Sequence, residues 1–153
     1  MKTKVLLVDD NPSVLAALTG VLESEGYDVR HAVNGHDALV AFAGLRDVGI
    51  VLLDLNMPVR GGWDTIGPFK AVNPLLPIII ITARPDQQSL ADAAGAAALM
   101  EKPLDIPLLL ETMRKLLAES PETRQARIAS QKPRTLFLKT PDAAPKSSRG
   151  NAR

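Results

Sequence analysis

Five residues that together carry three carboxylates, a hydroxyl and an ammonium group stand at the ends of apolar runs. Asp9 and Asp10 directly follow the run VLLV, and Asp54 directly follows IVLL. Thr82 and Lys102 come at the ends of two later runs. Clustered carboxylates repel one another unless a cation lies among them. Because the chain has no cysteine and its two histidines fall elsewhere, the ligands would be oxygens, which Mg²⁺ prefers.

These residues can meet only if the apolar runs are parallel strands of one sheet. The predicted strands are Lys4–Val8, Tyr27–His31, Ile50–Leu53, Ile78–Ile81 and Ala97–Met100. The third and fourth are apolar at every position, which is typical of strands covered by helices on both faces. Five strand–helix units predict a doubly wound α/β sheet. Ligands of such sheets bind beyond the carboxyl ends of the strands, which is where the five residues would lie.

The helices between the strands carry recognisable start signals. Asn11, followed by a proline, fits the N-cap of the first helix, and Asp105 fits the N-cap of the last. A helix is predicted over residues 63–72, although Pro68 should shorten or bend it. Another is predicted over residues 86–94. These helices would cover the two faces of the sheet.

Charge divides the chain after residue 120. Residues 1–120 carry a net charge of −5, whereas residues 121–153 carry +6 and four prolines. We therefore expect a folded domain over 1–120 and a basic, Pro-rich tail over 121–153 that is largely disordered. Its one apolar island, TLFL at 135–138, could pack on the domain or bind a partner.

Composition limits the class of protein. No apolar run approaches the ~20 residues that span a bilayer, so a soluble, cytoplasmic protein without membrane association is expected. The basic tail could attract nucleic acid electrostatically. With one aromatic residue, Phe137, and no recognition-helix pattern, it argues against sequence-specific DNA binding.

Together the motifs resemble the CheY-like receiver domain of two-component response regulators. The matching motifs are the aspartate pair at 9–10, DLNMP at 54–58, Gly62, TA at 82–83 and KP at 102–103. They occur in the family's order and at similar spacing, over roughly residues 3–119. The resemblance implies a flavodoxin-like (βα)5 sandwich whose five parallel strands lie in the order 2-1-3-4-5.

The resemblance also implies a metal site and a phosphoacceptor. Asp54 would attack the phosphohistidine of a sensor histidine kinase or a histidine phosphotransfer protein. Asp10, Asp54 and the backbone carbonyl of Asn56 would ligate Mg²⁺, and Asp9 would help to position the ion through water. Such a protein is a signalling module rather than an enzyme.

Other positions would read out the phosphoryl group. By resemblance, Lys102 contacts its oxygens, Thr82 shifts toward it, and a cis peptide bond before Pro103 aims Lys102. The family usually has an aromatic residue at the coupling position, where this chain has Leu99. That departure puts phosphorylation-dependent dimerisation in doubt, and it leaves open a weak homodimer through the fourth helix, fifth strand and fifth helix.

Several alternatives remain open from the sequence. Asp9 and Asp10 could simply favour a helix start, and Thr82 could cap a turn. A Mg²⁺-dependent aspartyl-phosphate phosphatase of the haloacid-dehalogenase type would need an acid where Asn56 stands. A flavodoxin-like cofactor site would need a phosphate-binding loop where the acidic DDNPS stands. The leading prediction is a stand-alone response regulator with an unknown target, and the last alternative is a phosphorylation-independent binding module.

Overall fold

The computed structural model describes residues 2–55, 62–83, 88–129 and 135–138. The strands are β1 (Lys4–Val8), β2 (Asp28–Ala32), β3 (Val48–Asp54), β4 (Ile78–Thr82), β5 (Ala98–Glu101) and β6 (Leu136–Leu138). The helices are α1 (Pro12–Ser24), α2 (Gly35–Gly44), α3 (Gly62–Val72), α4 (Gln88–Ala94), α5 (Ile106–Ala118) and α6 (Pro121–Ala129). None of these described helices has the length and apolar character to cross a bilayer.

The strands form one parallel sheet in the order β2-β1-β3-β4-β5-β6. The predicted doubly wound α/β fold and its strand order 2-1-3-4-5 are therefore confirmed for the first five strands. The structure adds β6 at the outer edge of β5, so the apolar island at 135–138 lies on the domain. The expected disorder stays a prediction for residues 130–134 and 139–153, which lie outside the described residues.

The sheet is buried because alternating side chains fill a core on each face. Leu6, Leu53, Ile80 and Phe69 belong to one core cluster. The neighbouring strand residues Leu7, Leu52 and Ile79 belong to the other, together with Leu109 of α5. Successive side chains of a strand point to opposite faces, so strands with two apolar faces need helices on both. Fully burying one Leu or Ile side chain contributes roughly 1.5–3 kcal/mol, so these strands hold the sheet rigid beneath its carboxyl edge.

Helix α3 differs from its prediction. It runs through Pro68 to Val72 and is not shortened. Pro68 lies on the exposed side, while Ile66 and Phe69 are fully buried against the sheet. Packing of the apolar face therefore outweighs the missing N–H of the proline. The start of the predicted helix at residue 86 lies outside the described residues, and α4 is described from Gln88.

The two predicted N-caps are confirmed. The Asn11 side chain accepts hydrogen bonds from the backbone N–H groups of Ser13 and Val14 at 2.9 and 3.4 Å. Asp105 accepts one from Leu108 N at 3.1 Å. These caps fix where α1 and α5 begin, and so how the chain leaves β1 and β5.

We expect Asn11→Ala to lower the free energy of unfolding by about 1 kcal/mol, because two N–H groups of α1 lose their acceptor. Urea denaturation measures the change. Ser13→Ala, in the same exposed turn, is the control and should behave as wild type. An unchanged midpoint for Asn11→Ala would show that the cap contributes nothing.

Candidate functional site

Three carboxylates meet at the carboxyl edge of the sheet. Asp54 is the last residue of β3, and Asp9 follows β1, the neighbouring strand. Carboxylate oxygens of Asp9, Asp10 and Asp54 all lie within 4.8 Å of one another. The convergence predicted from the strand ends is therefore present in the structure.

The two adjacent aspartates differ in environment. Asp9 is 2% exposed, whereas Asp10 is exposed to solvent. The Asp9 N–H donates to the Ala32 carbonyl at 3.1 Å, and Asp9 Oδ1 accepts from Asn11 N at 2.9 Å. Asp9 is thus fixed by the backbone on both sides, while Asp10 is open to an incoming ion. The support from the Asn11 N–H is not among the features predicted from the sequence, although an aspartate two residues before an N-cap is a pattern for such a turn.

Lys102 supplies a positive charge to the cluster. Its Nζ lies 3.5 Å from Asp54 Oδ2 and 3.9 Å from Asp9 Oδ2. Its backbone N–H donates to the Thr82 carbonyl at 2.8 Å, and the Lys102–Pro103 peptide bond is cis. One ammonium group faces three carboxylates, so the cluster keeps a negative excess when all are ionised. That excess suits a divalent cation or a group that arrives with one.

Thr82 and Leu99 are placed by β4 and β5. Thr82 ends β4, is fully buried, and lies one residue beyond Ile81, the partner of Asp54 in the sheet. Leu99 is fully buried in the core and pairs with Ile80. The coupling position is therefore filled by an aliphatic core side chain.

The donor set fits Mg²⁺. It consists of carboxylate oxygens, two of them from nearly buried residues, Asp9 and Asp54, and one from the exposed Asp10. A hard cation takes such oxygens and keeps several waters, which requires an open side like that at Asp10. The predicted fourth ligand, the backbone carbonyl of Asn56, lies outside the described residues.

We expect Mg²⁺ to raise the melting temperature, because an ion that binds only the folded chain stabilises it by about 2.7 kcal/mol at a hundred times its Kd. Asp10→Ala should need about tenfold more Mg²⁺ for half of that shift, since it removes one charged ligand. A thermal denaturation series over Mg²⁺ concentration measures this. Glu111→Ala, an exposed acid on α5, is the control. Equal Mg²⁺ dependence in both variants would remove Asp10 from the site.

Known proteins resemble the chain in sequence and in fold. Residues 5–114 match the family described as the response regulator receiver domain. Protein PilH of Pseudomonas aeruginosa is 34% identical over 120 residues, which cover 75% of this chain and 98% of PilH. The transcriptional regulatory protein ZraR of Salmonella typhimurium is 40% identical over 126 residues, which cover 80% of this chain but only 28% of ZraR.

One solved structure is similar to the chain in both fold and sequence. It is the response regulator protein TrrA from Thermotoga maritima in complex with Mg(2+)-BeF, with 32% identity and a TM-score of 0.69. The alignment covers 76% of this chain and 99% of that one. With the matched family, the strand order and the acidic cluster in agreement, the chain belongs to the response regulator receiver domain family.

Proposed function

We propose that the chain is a stand-alone response regulator that accepts one phosphoryl group on Asp54, in a Mg²⁺-dependent reaction, from a sensor histidine kinase or a histidine phosphotransfer protein. The observation that carries the proposal is the position of Lys102 Nζ, 3.5 Å from Asp54 Oδ2 inside a three-carboxylate cluster. A lone buried carboxylate beside an ammonium group would be a plain ion pair. Two further carboxylates at the same point need another cation.

The proposed reaction transfers a phosphoryl group from a phosphohistidine of the donor protein to the carboxylate of Asp54. A carboxylate oxygen of Asp54 attacks phosphorus, the P–N bond to the donor histidine breaks, and the imidazole leaves and is protonated from solvent. The product is an acyl phosphate on Asp54. Asp10, Asp54 and the backbone carbonyl of Asn56 would hold Mg²⁺, and Asp9 would help to position it. The ion would supply positive charge to the phosphoryl oxygens.

The chain's own residues supply position and charge. Phosphoryl transfer depends on alignment and on neutralising charge at the equatorial oxygens rather than on proton transfer by the protein. Lys102 is already within reach of Asp54 and can move its contact to the phosphoryl group. Backbone hydrogen bonds fix Asp9 on the buried side of the site, where its carboxylate attracts the ion.

The output is proposed to pass through protein contacts. Thr82 ends β4 and its carbonyl binds the N–H of Lys102, so a shift at either residue reaches β4 and β5 together. Leu99 replaces the usual aromatic residue of the family, so the signal would travel without ring rotation. A weak homodimer through α4, β5 and α5, the absence of DNA binding and a cytoplasmic location stay predictions.

The lengths of the relatives bear on the stand-alone role, and two features of the site bear on the alternatives. The alignment covers nearly the whole of PilH, which supports a stand-alone role, whereas ZraR extends far beyond the matched region, to more than three times its length. Against a phosphatase, the position two residues after Asp54 is Asn56, which cannot act as the acid of that class. A phosphorylation-independent binding module would not need three mutually repelling carboxylates at one point.

The test is to follow inorganic phosphate release and protein-bound phosphate together, with acetyl phosphate as donor and Mg²⁺ present. The proposal predicts at most one bound phosphoryl group per chain, removed by hydroxylamine as an acyl phosphate is. Sustained rapid turnover with little bound phosphate would favour the phosphatase. Neither binding nor release would favour the phosphorylation-independent module.

A further inference from the structure

The outer edge of β5 is filled by the chain's own C-terminal residues. We call residues 135–138 the strap. It runs parallel to β5, with Ala98 paired to Leu136 and Met100 to Leu138. The Leu136 N–H donates to the Ala97 carbonyl at 3.0 Å. Without the strap, β5 would be an edge strand with free N–H and C=O groups, the kind of edge that accepts a strand from another chain.

Thr135 anchors the strap by contacts that select for its residue type. Its N–H donates to Asp92 Oδ1 of α4 at 3.0 Å, and its Oγ1 donates to the Ala96 carbonyl at 2.7 Å. Thr135 is buried, at 7% exposure. The edge therefore recognises a hydroxyl-bearing residue that begins an extended segment.

The two buried core clusters are built by residues that precede the strap. Every fully buried core residue described lies between Val5 and Leu116. Of the strap's apolar side chains whose burial is described, Leu138 is partly buried beside one core cluster and Leu136 is 47% exposed. Both core clusters therefore keep all of their described, fully buried members when the strap leaves.

Helix α6, which precedes the strap, is held by separate contacts. Arg124 donates to the Leu116 carbonyl at 2.8 Å. Arg127 forms a two-pronged ion pair with Glu119, at 2.8 and 3.1 Å. Loss of the strap from β5 breaks none of these bonds.

We propose that the strap is an exchangeable plug, and that the β5 edge, once vacated, binds residues 135–138 of a second copy of this chain. A second copy carries the one segment known to satisfy Asp92, Ala96 and Ala97 at once. In the single chain the tethered strap competes at high effective concentration, which keeps the edge closed. The proposal does not depend on phosphorylation of Asp54.

The first experiment measures binding of a fluorescent peptide, RTLFLK, copied from residues 134–139, to the full chain without Mg²⁺ or phosphodonor. The double variant Thr135→Val/Leu136→Pro opens the edge, because it removes the hydroxyl and the N–H that hold the strap. Leu136→Ser is the matched control, since it keeps the N–H at an exposed position. Faster amide exchange over residues 135–138 in the double variant verifies the opening.

The opened chain should bind the peptide at least about tenfold more tightly than the control, which corresponds to about 1.4 kcal/mol. Adding Asp92→Ala to the opened chain should weaken that binding, because the N–H of the peptide threonine loses its acceptor. Equal affinity for opened and control chains, or no binding to the opened chain, would overturn the proposal.

The second experiment tests the partner. Light scattering of an equimolar mixture of Asp92→Ala chains and opened chains should show a 1:1 complex, because the first holds its own strap less well and can donate it, whereas the second has a free edge and no competing strap. The peptide should dissociate that complex. A mixture that stays monomeric while the opened chain binds the peptide would overturn the second copy as the occupant.

Discussion

Asp54→Asn is expected to abolish phosphoryl uptake. The amide cannot attack phosphorus as a carboxylate oxygen does, and Asp54 is the buried carboxylate that faces Lys102 at 3.5 Å. Its neighbours cannot substitute for it. Asp9 Oδ1 is held by the Asn11 N–H, and Asp10 lies on the open side where the ion would bind. Incorporation of labelled phosphate from a small phosphodonor measures the loss.

The control for this variant is Asp28→Asn. Asp28 begins β2 at the opposite edge of the sheet and pairs with Arg30 at the surface. It should take up phosphate as wild type does. Circular dichroism should show both variants folded, because asparagine fits the space of aspartate. Uptake that persists in Asp54→Asn would place the phosphoacceptor elsewhere.

Lys102→Met is expected to slow phosphoryl uptake on the order of 10²-fold, the cost of removing one charged or hydrogen-bonding group that stabilises developing charge. Methionine keeps most of the apolar stem but not the ammonium group. The effect should appear in the rate constant for uptake under saturating Mg²⁺. Saturation matters because the variant also makes the acidic cluster more negative and alters its affinity for the ion.

Lys115→Met is the matched control. Lys115 is exposed on α5 and pairs only with Glu111, four residues earlier, among the salt bridges of the described residues. Exposed pairs of this kind contribute little to stability, so the control should keep the wild-type rate. A Lys102→Met chain that takes up phosphate at the wild-type rate would mean that Lys102 is only the resting partner of Asp54.

The position of the acidic cluster could be predicted because a parallel sheet leaves few alternatives. When apolar strands end in Asp9, Asp54, Thr82 and Lys102, their carboxyl ends must lie at one edge. The different exposure of Asp9 and Asp10 could not be predicted in this way. The difference depends on which of the two side chains accepts from the Asn11 N–H. Because both residues are aspartates, the sequence does not decide between them.

The C-terminal elements were harder to predict. The four prolines of residues 121–153 predict a largely disordered tail, but Pro121 is the first residue of α6, where a missing N–H costs nothing. Strand β6 has only three residues, too few to show a period, and its stability comes from bonds to Asp92, Ala96 and Ala97. The apolar island TLFL indicates that this segment could pack on the domain, but nothing local in the sequence indicates which distant residues it bonds to.

The central claim, that this acidic cluster accepts a phosphoryl group with the help of Mg²⁺, is tested most directly by intact mass spectrometry. The wild-type chain is incubated with a small phosphodonor, with Mg²⁺ and with a chelator in its place. We predict a mass increase of one phosphoryl group that requires Mg²⁺ and disappears on treatment with hydroxylamine. No mass increase, or one that forms equally in the chelator, would contradict the account.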